Sequence, residues 1–267
     1  MALEASRFVG SIPEYYDRGL GPHIFSDFAR DLARRVSALQ PATVLELAAG
    51  TGIATRKLRD ALPPACTLLA SDLNSPMLEV ARTKFEPNER VDFHQMDATD
   101  LTFDDQTFDA VTCQFGVMFF PDKPRSYTEV HRVLNPGGKY VFNLWEAWAK
   151  NPFAQIAFEV VEAYFPDDPP GFYRVPFGYH DVDAITQALQ TAGFTHVETE
   201  HVALNVAISC PAEFAQGLIF GNPLHEEIVA REGDAEEICT TLAEAIENEL
   251  GNEMPLQAII VQATKSA

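Results

Sequence analysis

Apolar positions along this chain keep two rhythms in turn. From Pro22 to Leu39 they recur at helical spacing (Ile24, Phe25, Phe28, Ala29, Leu32, Ala33, Val36, Leu39), with Pro22 near the first turn, which predicts a helix. Thr43 to Leu47 then reads as a strand, and after a glycine-rich turn a helix runs to about Leu62, where Pro63-Pro64 stops it. Cys66 to Ser71 is an uninterrupted apolar strand of the kind a parallel sheet buries on both faces. Ser75 caps the next helix, with Pro76 at its first position. Strands follow at Val91–Gln95 and Phe108–Phe115. A helix from Lys123 to Leu134 ends in Asn135-Pro136-Gly137-Gly138, and Lys139–Leu144 is the fifth strand.

The second half reads differently. Asn151 caps a helix reaching Tyr164. Phe165 to His180 is dense in proline and aromatics, too apolar for a linker, and is expected to wall a substrate pocket. Asp181–Ala192 is a helix stopped by Gly193, and His196–Val206 is a strand. Residues 207–254 hold two predicted helices, Pro211–Ala230 and Ala235–Leu250, before the final strand Leu256–Ala263. Residues 1–21 form a turn-rich aromatic arm, a possible lid in which Tyr15 and Tyr16 either pack or position a ligand.

The most informative stretch is Val44-Leu45-Glu46-Leu47-Ala48-Ala49-Gly50-Thr51-Gly52-Ile53. Gly50 and Gly52 let the main chain approach a ligand where a Cβ would block it. A dinucleotide site wants G-x-G-x-x-G, with an acid about 20 positions on. Here Thr55 stands in the third glycine position, and Glu46 would place negative charge near a pyrophosphate; a ligand carrying an ammonium and a sulfonium would welcome that charge. The string resembles motif I of the class I S-adenosylmethionine-dependent methyltransferases, acidic-x-Gly-x-Gly-x-Gly, with Ala48 in place of the first glycine. Glu129-Val130-His131-Arg132-Val133-Leu134-Asn135-Pro136-Gly137-Gly138 is similar to the E-x-x-R-V-L-x-P-G-G of the same family, and the matching motifs span residues 43–146. The likeness extends to the small-molecule methyltransferases of ubiquinone and menaquinone biosynthesis.

This resemblance implies an α/β fold: a Rossmann-like seven-stranded sheet, mostly parallel with an antiparallel last strand, helices on both faces, and a helical insert or cap. The implied organisation is an N-terminal arm and helix at 1–42, a cofactor-binding domain at 43–206 and 255–267, and the insertion 207–254 between the last two strands. The implied cofactor is S-adenosyl-L-methionine, leaving as S-adenosyl-L-homocysteine. Its expected contacts are Glu46, Ala48, Gly50, Thr51 and Gly52 at the methionine end and Asp72, Leu73 and Met77 about the ribose. Asp97 and Ala98 are expected at adenine, Gln114, Phe115 and Gly116 beneath the sulfonium, and Tyr16 from the arm.

Composition narrows the partners. Nineteen Lys and Arg against 39 Asp and Glu give a net charge of −20, which disfavours nucleic acid and anionic lipid and leaves a small-molecule methyl acceptor. Ten carboxylates between His225 and Glu253 face Arg231 alone, read as a solvated surface. Four scattered cysteines without a C-x-x-C pair read as reduced core residues, and no signal or spanning segment is evident, so a cytoplasmic monomer or homodimer is expected. His196, Glu198 and Glu200 share a strand face but lack a fourth partner, and no metal is expected. There is no G-x-S-x-G elbow. Methyl transfer requires a base only for some acceptors, and the candidates are His23, His180 and Tyr16, none fixed by a motif. An NAD-dependent oxidoreductase and a non-catalytic S-adenosylmethionine-binding protein are the alternatives.

Overall fold

A computed structural model describes residues 6–267. Seven strands form one sheet: β1 (Thr43–Leu47), β2 (Thr67–Asp72), β3 (Val91–Gln95), β4 (Phe108–Gln114), β5 (Leu134–Trp145), β6 (Phe194–Ala207) and β7 (Glu253–Lys265). Their spatial order is β3-β2-β1-β4-β5-β7-β6. The first five pair in parallel, and β7 runs antiparallel to both β5 and β6. The apolar runs of β1, β4 and β5 are sealed on both faces, with Leu45, Val111, Cys113, Val141 and Phe142 wholly inaccessible. Strand order reverses between β1 and β4, the place where an open α/β sheet parts its loops and leaves a crevice at the carboxyl ends. Among the described residues no helix is long and apolar enough to cross a membrane.

The arm expected to be turn-rich is helical from Ile12 onward among its described residues. An α-turn at Ile12–Tyr15 runs into a π-helical segment, Tyr16–Phe25, and then into an α-helix, Ser26–Ala38. Pro22, expected near a helix start, lies inside the π segment. A proline donates no backbone hydrogen bond, and the wider turn absorbs that gap. The Ser26 amide reaches back five residues to the Gly21 carbonyl, which also accepts the Ser26 hydroxyl at 2.9 Å.

The expected helix Pro211–Ala230 is two, Pro211–Phe220 and Leu224–Val229. They part at Gly221-Asn222-Pro223, where the Asn222 amide donates to the Leu218 carbonyl at 2.8 Å and its oxygen accepts the Leu224 amide at 3.0 Å. Pro223 cannot continue the ladder, and the asparagine side chain closes the break. The final strand is longer than expected and, with β6, makes a long antiparallel pair from whose far end the 207–254 insertion emerges.

That insertion packs into the main core. Phe214, Leu218, Ile219, Ile238, Leu242 and Ile246 join the cluster that holds Phe115 and Trp145. The helix Pro211–Phe220 crosses the π segment backbone to backbone: a Cβ on Gly19 would fall 2.7 Å from the Gly217 Cα, and one on Gly217 would fall 2.7 Å from the Gly19 carbonyl carbon. Only glycine permits that approach. Gly217→Val should therefore overpack the crossing by about 1–3 kcal/mol, lowering Tm by several degrees in a thermal melt. A Tm within a degree of the parent would show that the two segments do not meet so closely.

Candidate functional site

The glycine turn leaves β1 through three left-handed positions, Ala48 (φ 51°), Gly50 (φ 56°) and Gly52 (φ 80°). Alanine at the first carries a penalty of about 1 kcal/mol that glycine would avoid. Gly116 makes the room for it, since a Cβ there would lie 2.5 Å from that of Ala48. Gly52 serves packing: a Cβ on it would sit 2.9 Å from the Ala81 Cβ, so the helix Ile53–Ala61 rests closely on Ser75–Arg82. The turn is held by Asp72 at the end of β2. Its Oδ2 accepts the Gly50 amide at 2.8 Å and its Oδ1 accepts the Asn74 amide at 2.8 Å.

Behind the turn lies a recess lined by Glu46, Ala48, Gly50, Thr51, Ile53 and Gln114, among others. Glu46 is buried, and its Oε2, like the Gln114 Oε1, has no hydrogen-bond partner among the described residues. Burial pushes the Glu46 carboxyl up to about 8, with the Thr55 hydroxyl pulling against this and Asp72 adding to it. Burial also raises Asp72, against the amides that stabilise its ionised form. Two orphaned acceptor oxygens in one small recess are matched by a ligand bearing several N–H donors and a positive charge. The amino-acid end of S-adenosylmethionine has both.

The recess opens into a cleft of about 840 Å³, open solvent at its mouth included. The cleft brings together Tyr16, Ala48, Gly50, Asp72, Leu73, Met77, Asp97, Ala98, Gln114, Phe115 and Gly116, all expected from the sequence. Glu46 and Thr51 line the recess, and Gly52 stands behind it in the packing role above. Asp97 turns Oδ1 to the Thr99 amide at 2.8 Å and the Thr99 hydroxyl at 2.7 Å, which fixes its side chain at the rim.

Other residues of the site carried no signal in the sequence. Phe8 crosses the mouth, its amide donating to the Asn74 Oδ1 at 3.3 Å and its ring meeting Tyr16 and Phe119 edge to face at 5.8 and 6.0 Å. Asp17 accepts the Thr51 hydroxyl at 2.6 Å and pairs with Lys84, tying the π segment to the glycine turn. A second chamber of about 470 Å³, open solvent included, adjoins the cleft through Phe8, Tyr16, Phe115 and Phe119. Its remaining walls include Leu20, Ile24, Phe25, Trp145, Phe153, Phe172, Tyr173, Phe177, Leu218 and Asn222. The proline and aromatic loop expected to wall a pocket supplies Phe172, Tyr173, Pro176 and Phe177.

The histidines stand apart from both spaces. His23 is buried with Nδ1 at 2.8 Å from the Gly19 carbonyl and its ring stacked on Phe214 at 5.0 Å, and His180 sits 2.9 Å from the Phe177 carbonyl. Tyr15 packs on Phe220. His196 pairs with Glu198 and Glu200 with Arg35, and no cluster suited to a metal occurs among the described residues.

A family profile described as a methyltransferase domain matches residues 44–138. A demethylmenaquinone methyltransferase of Clavibacter sepedonicus is 40% identical over 108 residues, 40% of this chain and 43% of that one. Another of the same description, from Chlorobaculum parvum, is 30% identical over 184 residues, 64% of this chain and 73% of that one. The chain spans about half the length of most of these curated relatives. Among solved structures, the YcgJ protein of Bacillus subtilis superposes with a TM-score of 0.60 at 19% identity, over 90% of this chain and 99% of that one. The fold is shared at that distance.

Glu46 gives a test of the recess by pH. With its folded value near 8 and its unfolded value near 4.5, the native state holds the extra proton between these limits, so stability falls as pH rises through that window. Glu46→Gln removes the titrating group. Its Tm should overtake the parent's as pH rises, by about 10 °C at pH 8, the shift expected for roughly 4 kcal/mol in a chain of this length. A difference in Tm that stays constant from pH 5 to pH 8 would show the carboxyl to be solvated.

Proposed function

Since the chain belongs to the class I S-adenosylmethionine-dependent methyltransferases, of the ubiquinone and menaquinone type, we propose that it transfers a methyl group from S-adenosylmethionine to a small apolar acceptor in the aromatic chamber. The observation that carries this reading is the pair of unsatisfied oxygens, Glu46 Oε2 and Gln114 Oε1, opening onto a cleft with Asp72 and Asp97 further along. Glu46 and Gln114 would hold the ammonium, Asp72 the ribose hydroxyls through lone pairs its amide bonds leave free, and Asp97 the adenine amino group. When bound, the cofactor supplies a methyl group on a sulfonium, a donor already activated for in-line displacement.

The protein's own task is alignment and exclusion of water. Phe115 stacks on Trp145 with centroids 3.9 Å apart, giving a rigid floor beneath the junction of cleft and chamber. Tyr16 stands at that junction and stacks on Phe25 at 4.9 Å, and Phe8 covers the opening. An NAD-dependent reading fits poorly, because the buried Glu46 carboxyl would meet a diphosphate with no cation among the recess residues to offset it.

Titration calorimetry with S-adenosylhomocysteine tests the assignment. Asp72→Ala should weaken affinity at least tenfold, roughly 1.4 kcal/mol, because it removes the ribose acceptor and frees the Gly50 amide. Binding to the parent at pH 7 should release a proton, as the ligand's ammonium pulls the Glu46 carboxyl down from about 8, and Glu46→Gln should abolish that release. NADH at the same concentration should leave Tm unchanged. Equal affinity in the alanine variant, or stabilisation by NADH, would overturn the reading.

A further inference from the structure

The strap 6–9, which crosses the mouth, is gripped by one side chain. Ser6 and Phe8 line the cleft beside Asp72, Leu73 and Asn74, and Phe8 also walls the second chamber. Asn74 holds the strap with both ends of its amide: Nδ2 donates to the Ser6 carbonyl at 2.9 Å and Oδ1 accepts the Phe8 amide at 3.3 Å. The same Nδ2 lies 3.3 Å from Asp72 Oδ1, which also accepts the Asn74 backbone amide at 2.8 Å. Asn74 is the N-cap of the helix Ser75–Arg82, where an asparagine oxygen ordinarily accepts an amide of the first turn, yet its side chain makes no such bond. The capping bond is given up for the strap.

The strap is also free to swing without the rest of the arm. Gly10 stands at φ 67° with nothing within 4 Å of where its Cβ would be, so the backbone turn rather than packing calls for glycine there. Beyond that turn the π segment is fixed separately, by Asp17 on Thr51 and Lys84 and by the Gly19–Gly217 crossing. Of the four described residues shared by cleft and chamber, Phe115 and Phe119 follow β4 and Tyr16 lies on that fixed segment, which leaves Phe8 as the movable wall.

Resting on the methyltransferase reading, we propose that Asn74 is a positioning residue through which cofactor bound at Asp72 closes the strap and completes the acceptor chamber. A ligand reaching the Glu46 recess along the cleft passes Ser6 and Phe8, so the strap stands aside to admit it and returns afterwards. A ligand shifts such an equilibrium only by interacting differently with its two states, and the filled cleft supplies two differences. Ribose hydroxyls on Asp72 fix the carboxylate on which Asn74 leans, so the amide is presented to the strap in one orientation. The Phe8 ring, closing over an occupied cleft, covers ligand in place of water. The chamber thereby gains its last wall when the donor is in place, and water is shut out of the junction where the methyl group moves.

Trypsin reads the strap directly, because Arg7 is exposed and the Arg7–Phe8 bond lies within it. Cleavage requires the segment to leave the surface, so at low protease the release of peptide 1–7, followed by mass, tracks the open fraction. Saturating S-adenosylhomocysteine, its uptake first established by calorimetry, should slow that release in the parent about tenfold, the factor two hydrogen bonds supply. Asn74→Ser can still cap the helix but is too short to reach the strap, so its Tm without ligand should match the parent's while saturating ligand leaves its release unchanged. Should that variant not fold, Asn74→Asp decides: it also caps, but it turns an oxygen to the Ser6 carbonyl and should lose the protection. Parent cleavage that ignores the ligand, or protection kept in the folded variant, overturns the proposal. A parent that takes up no S-adenosylhomocysteine strikes the methyltransferase reading instead.

Discussion

One buried carboxylate holds the two loops of the site in register. Asp72 takes the Gly50 amide on one oxygen and the Asn74 amide on the other, so the end of β1 and the start of the helix Ser75–Arg82 are fixed relative to each other by a single side chain. Hydrogen bonds to a charged acceptor contribute about 1.5–3 kcal/mol each, enough to hold a turn that places alanine in the left-handed region. The tie extends outward. Asn74 donates to the Ser6 carbonyl and accepts from Phe8, so the arm across the mouth hangs on the same node.

The site is electrostatically unbalanced without a partner. Glu46 and Asp72 are both buried, burial raises both, and Asp72 raises Glu46 further. Natural proteins keep such groups where a ligand of opposite charge completes them, accepting lower stability in the empty state. Near neutral pH the empty protein answers by holding a proton on Glu46. A cation entering the recess takes over that neutralising role, which links ligand uptake to proton release.

Much of this was legible in the residues themselves. The apolar run into Glu46, the small residues after it, and the acids ending β2 and following β3 are local features whose spacing survives folding unchanged, and they line one cleft and its adjoining recess. The π segment was not legible, because Pro22 is equally consistent with a helix start, and the wider turn around it depends on what packs alongside. Gly19 and Gly217 are separated by most of the chain, and nothing near either announces their contact. His23 and His180 are chemically able to act as bases, yet each is turned onto a nearby backbone carbonyl, an outcome fixed by local geometry rather than residue type.

The division of the chain between its two spaces also explains why relatives inform one and not the other. The profile match covers residues 44–138, which carry the glycine turn, Asp72, Asp97 and Gln114. Of the chamber's lining, only Phe115 and Phe119 fall within that span; the rest comes from the arm and the π segment, the end of β5, the helix Pro152–Tyr164, the loop before His180 and the insertion. These segments meet at the Gly19–Gly217 crossing and through the Tyr173 bond to the Leu218 carbonyl, among other contacts. The insertion therefore helps to wall the second chamber through Leu218 and Asn222, and its acidic outer surface keeps that addition solvated. On the proposed reading, acceptor selection rests on packing outside the cofactor half, and two chains with the same glycine turn are free to differ in the molecule they methylate.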